Sequence, residues 1–165
     1  MRVLGIDPGT AITGYGVVEE ASGDLMPQTF GVIRTPARQL LPVRLQSIYR
    51  AVRELTQEWK PDVAAVEELF FSRNARTAMA VGQARGVTLL ALADAGLAVA
   101  EYTPLVIKQA VTGYGSADKT QMQEMVRLLL HLPEIPRPDD AADALAVAIC
   151  HLHSARLTAL SEESL

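Results

Sequence analysis

The sequence predicts an α/β protein: a mixed five-stranded sheet, three antiparallel strands followed by two parallel ones, with helices on its faces. Three observations lead there. Two short apolar runs, residues 3–6 and 63–66, each end on an acid, Asp7 and Glu67, and read as buried strands. Three strand-like segments come first, separated by turn residues alone, which makes an antiparallel meander. Helical periodicity then separates the later strands, and strand–helix–strand crossovers set neighbouring strands parallel.

Taken in order, residues 2–7 are continuously apolar after Arg2, and Pro8-Gly9-Thr10 is a turn. Residues 13–19 and 25–34 read as two strands joined near Ser22-Gly23-Asp24. Leu41, Leu45, Ile48, Val52, Leu55 and Trp59 recur at spacings of four and three, the apolar stripe of a helix that Lys60-Pro61-Asp62 ends. Residues 63–67 form the fourth strand. Asn74 is placed to cap a helix running to about Ala95, with Gly96 behind it. Residues 97–102 read as the fifth strand and 104–111 as a short helix. Ser116 is placed to cap another helix, to about His131. Pro133, Pro136 and Pro138 stiffen the connection into a last helix over 139–156. The expected organisation is one domain over 1–156 with a flexible tail over 157–165.

The chain has 165 residues, enough for one proper core, and its 49% apolar residues include few aromatics. A single cysteine, Cys150, excludes an internal disulfide and a cysteine-built zinc site. No basic segment and long apolar run open the chain, and the apolar stretch 87–100 is interrupted by Thr88 and Asp94 and too short to span a bilayer. A cytoplasmic protein without membrane contact is expected. The net charge of −4 alone argues against nucleic acid as a partner. Its distribution softens that: residues 69–93 hold Arg73, Arg76 and Arg85 and no acid, whereas six acids lie from Glu134 onward.

Asp7 and Glu67 are joined by Asp140 and Asp143, at the start of the last helix. If the first and fourth strands are neighbours, Asp7 and Glu67 lie side by side at their carboxyl ends, where open α/β sheets place their sites. Acids beside apolar runs are costly unless compensated, and hard divalent cations with oxygen ligands are the usual compensation. The chemistry implied is metal-assisted attack on a phosphate. Helix geometry leaves the pair open, because Asp139 and Asp143 share a face as Asp140 and Asp143 do. Glu67 and Glu68 point to opposite faces of a strand, so only one reaches the site.

Five segments resemble, in order, those of the bacterial RuvC family of Holliday-junction resolvases. They are Gly5-Ile6-Asp7-Pro8-Gly9-Thr10 with Thr13-Gly14-Tyr15-Gly16-Val17, Ala65-Val66-Glu67-Glu68-Leu69-Phe70, Gly82-Gln83-Ala84-Arg85-Gly86, Gly113-Tyr114-Gly115-Ser116-Ala117-Asp118-Lys119, and Asp140-Ala141-Ala142-Asp143-Ala144-Leu145-Ala146. The resemblance covers roughly residues 1–155. It implies an RNase H-like fold, a homodimer, and Mg²⁺-dependent nicking of two like-polarity strands in a four-way junction, giving 5′-phosphate and 3′-hydroxyl ends. Recombination and DNA repair are the setting, with the RuvA–RuvB branch-migration complex as partner. The family pattern puts the catalytic, metal-binding acids on Asp7, Glu67, Asp140 and Asp143, with two Mg²⁺ per site and Mn²⁺ as a substitute. It puts functional lysines on Lys108 and Lys119 and a junction-probing aromatic on Phe70.

Each of these residues also has a plainer reading. Asp7 before Pro-Gly caps a turn, and Asp140 and Asp143 complement a helix dipole. With Ser116 as cap, Lys119 falls at the third helical position, where the dipole disfavours a cation, so a phosphate partner would account for it. Phe70 is placed to wedge against an unstacked base and Arg73 and Arg76 to contact phosphates, or all three serve the core and a solvated helix start. Gly82 and Gly86 share a helical face, which calls for close approach of another helix, from a second copy or from within. Three other functions compete: an RNase H-type nuclease on RNA–DNA hybrids, an actin- or sugar-kinase-like ATP-binding domain sharing the first phosphate loop, and a junction-binding module without catalysis.

Overall fold

The computed structural model describes residues 1–68 and 75–162, with the backbone alone for 75–77 and 159–162. Phe70, Arg73 and the expected cap Asn74 lie outside the described residues, as does the side chain of Arg76. The elements are β1 (Arg2–Asp7), β2 (Ile12–Ala21), β3 (Asp24–Arg34), α1 (Leu41–Trp59), β4 (Val63–Glu67), α2 (Ala75–Asp94), β5 (Val99–Tyr102), α3 (Pro104–Thr112), α4 (Lys119–Leu129) and α5 (Asp139–Glu162). The strands form one sheet in the order β3-β2-β1-β4-β5. β1–β2 and β2–β3 are antiparallel, while β1–β4 and β4–β5 are parallel. This is the expected mixed sheet.

Alternation along the central strands sorts their side chains into two cores. Leu4, Ile6, Val17, Ala64 and Val66 pack with Ile48 and Val52 of α1 and Ala84, Ala91 and Leu92 of α2. Val3, Val18 and Ala65 face the other way, against α3, α4 and the buried face of α5. By the same period of two, Asp7 and Glu67 fall on the α5 face, following Val3 and Ala65.

Helix α5 lies very close to the sheet because three strand residues have no side chain. A Cβ at Gly5 would overlap the backbone oxygen of Ala144, and one at Gly14 the backbone oxygen of Asp140. At Gly16 it would press on the Leu145 side chain. Glycine inside a strand marks such close approach. Gly14 is the register partner of Asp7, so the start of α5 is held directly over the end of β1.

Three boundaries differ from expectation. Asp118, not Ser116, caps α4: its carboxylate accepts from the Gln121 backbone N–H while the Gln121 side chain accepts from the Asp118 N–H. This two-way arrangement satisfies two end donors, which Ser116 would not. Lys119 is therefore the first residue of α4 rather than the third, and α4 ends at Leu129. Strand β5 begins at Val99, because Leu97 is still tied to the end of α2 through its N–H to Leu92. Helix α5 runs past Arg156 to Glu162, so part of the segment expected as a tail is helical. No glycine or proline follows Arg156 to stop it.

Candidate active site

Parallel pairing of Ile6 with Val66 sets Asp7 beside Glu67 at the carboxyl ends of β1 and β4. The glycine-docked start of α5 adds Asp140 and Asp143 from above. The electrostatics reflect the convergence of these four carboxylates. Burial pushes the Asp7 carboxyl up to about 8, and the charges of Glu67, Asp143 and Asp140 add to the rise. Close contact between the Asp7 and Glu67 carboxyls contributes to the rise at Asp7. Glu67 is also raised, chiefly by burial and then by Asp143. Burial raises Asp143 as well, against the pull of Lys119.

The structure separates Asp139 from Asp140, which helix spacing alone left open. Asp139 pairs with Arg137 at 2.7 Å and with Lys119 at 3.2 Å, and the Lys119 hydrogen bond holds its carboxyl below the usual range. Asp140 instead lies within the field of Asp7. Lys119 also reaches Asp143 at 3.5 Å. The two carboxylates together push the lysine above its ordinary value despite partial burial. Lys119 thus already has partners within the protein, a finding its sequence position did not reveal.

A cavity of about 220 Å³ opens beside the acids, lined by Glu67, Asp143, Lys108, Lys119, Ile107 and Met122. The two lysines named from the sequence therefore share one cavity with two of the four acids. Arg85, the third arginine of the acid-free stretch, is spent on an ion pair with Glu101 that ties α2 to β5. His151 hydrogen-bonds the Tyr102 hydroxyl and His153 the Ala110 carbonyl, so these two histidines have separate structural roles.

The donors suit a hard divalent cation. All four are carboxylates, and burial disfavours the negative charge of Asp7, Glu67 and Asp143, which a cation at their centre would restore. Among the described residues no three His, Cys, Asp or Glu side chains are already placed to hold one ion together. Binding of a cation would draw the oxygens inward.

Sequence reasoning missed the glycine contacts beneath α5, although Gly5, Gly14 and Gly16 inside strands were the available signal. It also missed the capping box, written in the sequence as Asp118-Lys119-Thr120-Gln121. Among the described residues no helix is long and apolar enough to cross a membrane.

The family model for crossover junction endodeoxyribonuclease RuvC matches residues 3–151. The crossover junction endodeoxyribonuclease RuvC of Syntrophomonas wolfei is 57% identical over 164 residues, covering 99% of this chain and 95% of that protein. Thermus thermophilus RuvC superposes with a TM-score of 0.88 at 38% identity, over 96% of this chain and 97% of that one. The same protein in complex with Holliday junction substrate gives a TM-score of 0.88 at 37% identity, over 95% and 96% of the two chains.

Proposed function

Because the chain belongs to the RuvC family of crossover junction endodeoxyribonucleases, a family of metal-dependent nucleases with an RNase H-like fold, we propose that Asp7, Glu67, Asp140 and Asp143 are the site at which it resolves four-way DNA junctions. The observation that carries this reading is the convergence of four carboxylates, three with raised proton affinity, beside a cavity that also holds Lys108 and Lys119. Such a site is short of positive charge at its centre and carries cations at its edge. That is the arrangement needed to hold a phosphodiester against divalent ions.

Two Mg²⁺ ions, for which Mn²⁺ substitutes, supply the Lewis acidity and the activated water for in-line attack when bound. Asp7 stands next to Glu67 and opposite the start of α5, so its oxygens are central to the set. Glu67 holds the β4 side, and Asp140 and Asp143 hold the α5 side. Lys119 is pre-oriented by Asp139, and Lys108 joins it on the cavity wall, where an ammonium can take a non-bridging phosphate oxygen. The products are a 5′-phosphate and a 3′-hydroxyl. Phe70 serves as the wedge at the crossover, with Arg73 and Arg76 on neighbouring phosphates.

The active species is a homodimer, matched to a substrate cut on two strands. Met79, Gln83, Gly86 and Leu90 form one exposed face of α2, with Met79 at 68% and Leu90 at 54% exposure. Nothing lies within 4 Å of a Cβ built on Gly86. That open glycine supports a second copy, rather than the sheet, as the helix's neighbour. Leu90→Glu should therefore give monomers in light scattering and turn paired nicks into single ones. A dimer that survives this substitution would put the interface elsewhere.

We also assign the chain to the cytoplasm as one nuclease domain over 1–156, in recombination and repair, acting with RuvA–RuvB. The deciding experiment is cleavage of a synthetic four-way junction with and without Mg²⁺, beside linear duplex and RNA–DNA hybrid. Paired symmetric nicks in the junction, only with metal, are expected. Hybrid cutting would favour an RNase H-type enzyme, and binding without cutting a recognition module.

A further inference from the structure

Resting on the nuclease reading above, we propose that Arg44 is a phosphate-binding residue that holds the DNA strand on the β2 side of the carboxylates. A second cavity, of about 640 Å³, lies between the β1–β2 turn and the starts of α1 and α2, lined by Thr10, Ile12, Leu41, Arg44, Ala80 and Asp140 among others. It meets the four acids at Asp140. The lysine-lined cavity meets them at Glu67 and Asp143. This second cavity is walled by the β1–β2 turn, α1 and α2, the lysine-lined one by β4, α3 and α4, and α5 gives an acid to each. A DNA strand that occupied both would cross the start of α5, between Asp140 and Asp143.

Arg44 is built to be rigid. Its Nε donates to the Thr35 hydroxyl at 2.8 Å, Thr35 donates to the Thr10 carbonyl, and Thr10 donates to the Ala80 carbonyl at 2.6 Å. Thr35 and Thr10 are buried, at 5% and 9% exposure. This chain of bonds ties α1, the end of β3, the β1–β2 turn and α2 to one guanidinium. The tether uses Nε and leaves the terminal nitrogens for the cavity. Among the described residues, Arg44 has no carboxylate within ion-pair distance, whereas Arg2, Arg85, Arg127 and Arg137 each have one. A half-buried, oriented, unpaired guanidinium beside a cavity calls for an anion, and its planar fork matches a phosphate.

The surroundings have the same sign. The α1 N-terminus at the cavity wall has no side-chain cap and no acid in its first turn, so its dipole also favours negative charge. Residues 25–53 contain five arginines and no acid, in a chain of net charge −4. Arg34 among them is exposed and pairs in register with Ile12, a residue of the cavity wall. Asp140 is the acid on the wall, and it faces the reacting phosphate. Arg44 then takes a neighbouring one.

The test uses the full-length protein and the synthetic junction. Junction affinity is measured across a range of salt concentrations, with cleavage rate and melting temperature, for wild type, Arg44→Ala and Arg44→Lys. We expect Arg44→Ala to lower the slope of log affinity against log salt by about one unit for each phosphate it no longer neutralises. Its cleavage should fall about tenfold or more where it is fully folded, with a melting temperature close to that of Arg44→Lys, which loses the same Thr35 bond. Arg44→Lys should keep the slope, because the charge remains, yet cut more slowly, because the Thr35 tether is gone. Wild-type slope and rate in Arg44→Ala would overturn the inference. So would an early-melting Arg44→Ala beside a fully active Arg44→Lys, which would make Arg44 a brace. A wild-type protein that cuts no junction would overturn the nuclease reading and this inference together; the other two outcomes overturn this inference alone.

Discussion

Asp7→Asn is expected to cut junction cleavage by about a thousandfold while leaving junction affinity within about threefold of wild type. Loss of an oxygen from the proposed metal site should raise the barrier of the chemical step by several kcal/mol. Affinity comes from cations contacting phosphates, and none of these is altered. Asn keeps the shape of the side chain, so the sheet and the seat of α5 are preserved. Gel-shift and cleavage assays on one preparation separate the two effects. Cleavage and binding abolished together would make Asp7 a structural acid.

The same substitution should change how stability depends on pH. The Asp7 carboxyl titrates near 8 in the folded protein and near 3.8 in the unfolded chain. Between those values the folded state holds a proton that the unfolded state has released. The contribution of this carboxyl to stability is therefore fullest below about pH 4 and is lost as pH rises to about 8. Glu67 and Asp143 move in the same direction. Asn cannot ionise, so metal-free Asp7→Asn should melt above wild type at pH 8, and the two should converge near pH 4. Added Mg²⁺ should raise the wild-type melting temperature more at pH 8 than at pH 5, since protons and cations compete for the same oxygens. Parallel melting curves for wild type and variant across that window would contradict the burial of this carboxylate.

The sheet and the convergence of the candidate acids were legible because both depend on short-period patterns. Two apolar runs ending in acids marked β1 and β4. The period of two showed that only one of Glu67 and Glu68 could face Asp7, and the family motif favoured Glu67. What was not legible depends on how separate elements meet. Asp139 and Asp140 are both well spaced from Asp143 for a shared helix face. Only Arg137, Lys119 and the seat of α5 over Gly14 divide their roles. Ser116 and Asp118 are both good caps, and the reciprocal bond with Gln121 decides between them. Arg44 sits within the α1 pattern as one polar position among several. Its distinction comes from Thr35 and Thr10, which approach only after the meander has folded.

The second large effect is expected from Gly14→Ala, a single methyl added beneath the start of α5. The added carbon would overlap the Asp140 backbone oxygen, and backbone cannot swing aside as a side chain can. Helix α5 must lift or tilt, and the overpacking and loosened core cost on the order of 2–4 kcal/mol. The acids move with it. A displacement of about 1 Å in a catalytic group costs roughly a hundredfold in rate, so cleavage should fall by at least that factor in the fraction that remains folded. Gly31→Ala is the comparison. It adds the same methyl to the neighbouring strand β3, but there the nearest atoms are the Tyr15 hydroxyl and ring, 2.8 to 3.3 Å away at the far end of a rotatable side chain. Tyr15 can yield, and the cost should stay below about 1 kcal/mol with cleavage near wild type. Urea unfolding and cleavage rates of the two variants measure the difference. Equal effects would mean that α5 is free to shift on the sheet, and the placing of Asp140 and Asp143 would then need another cause than the missing side chain at Gly14.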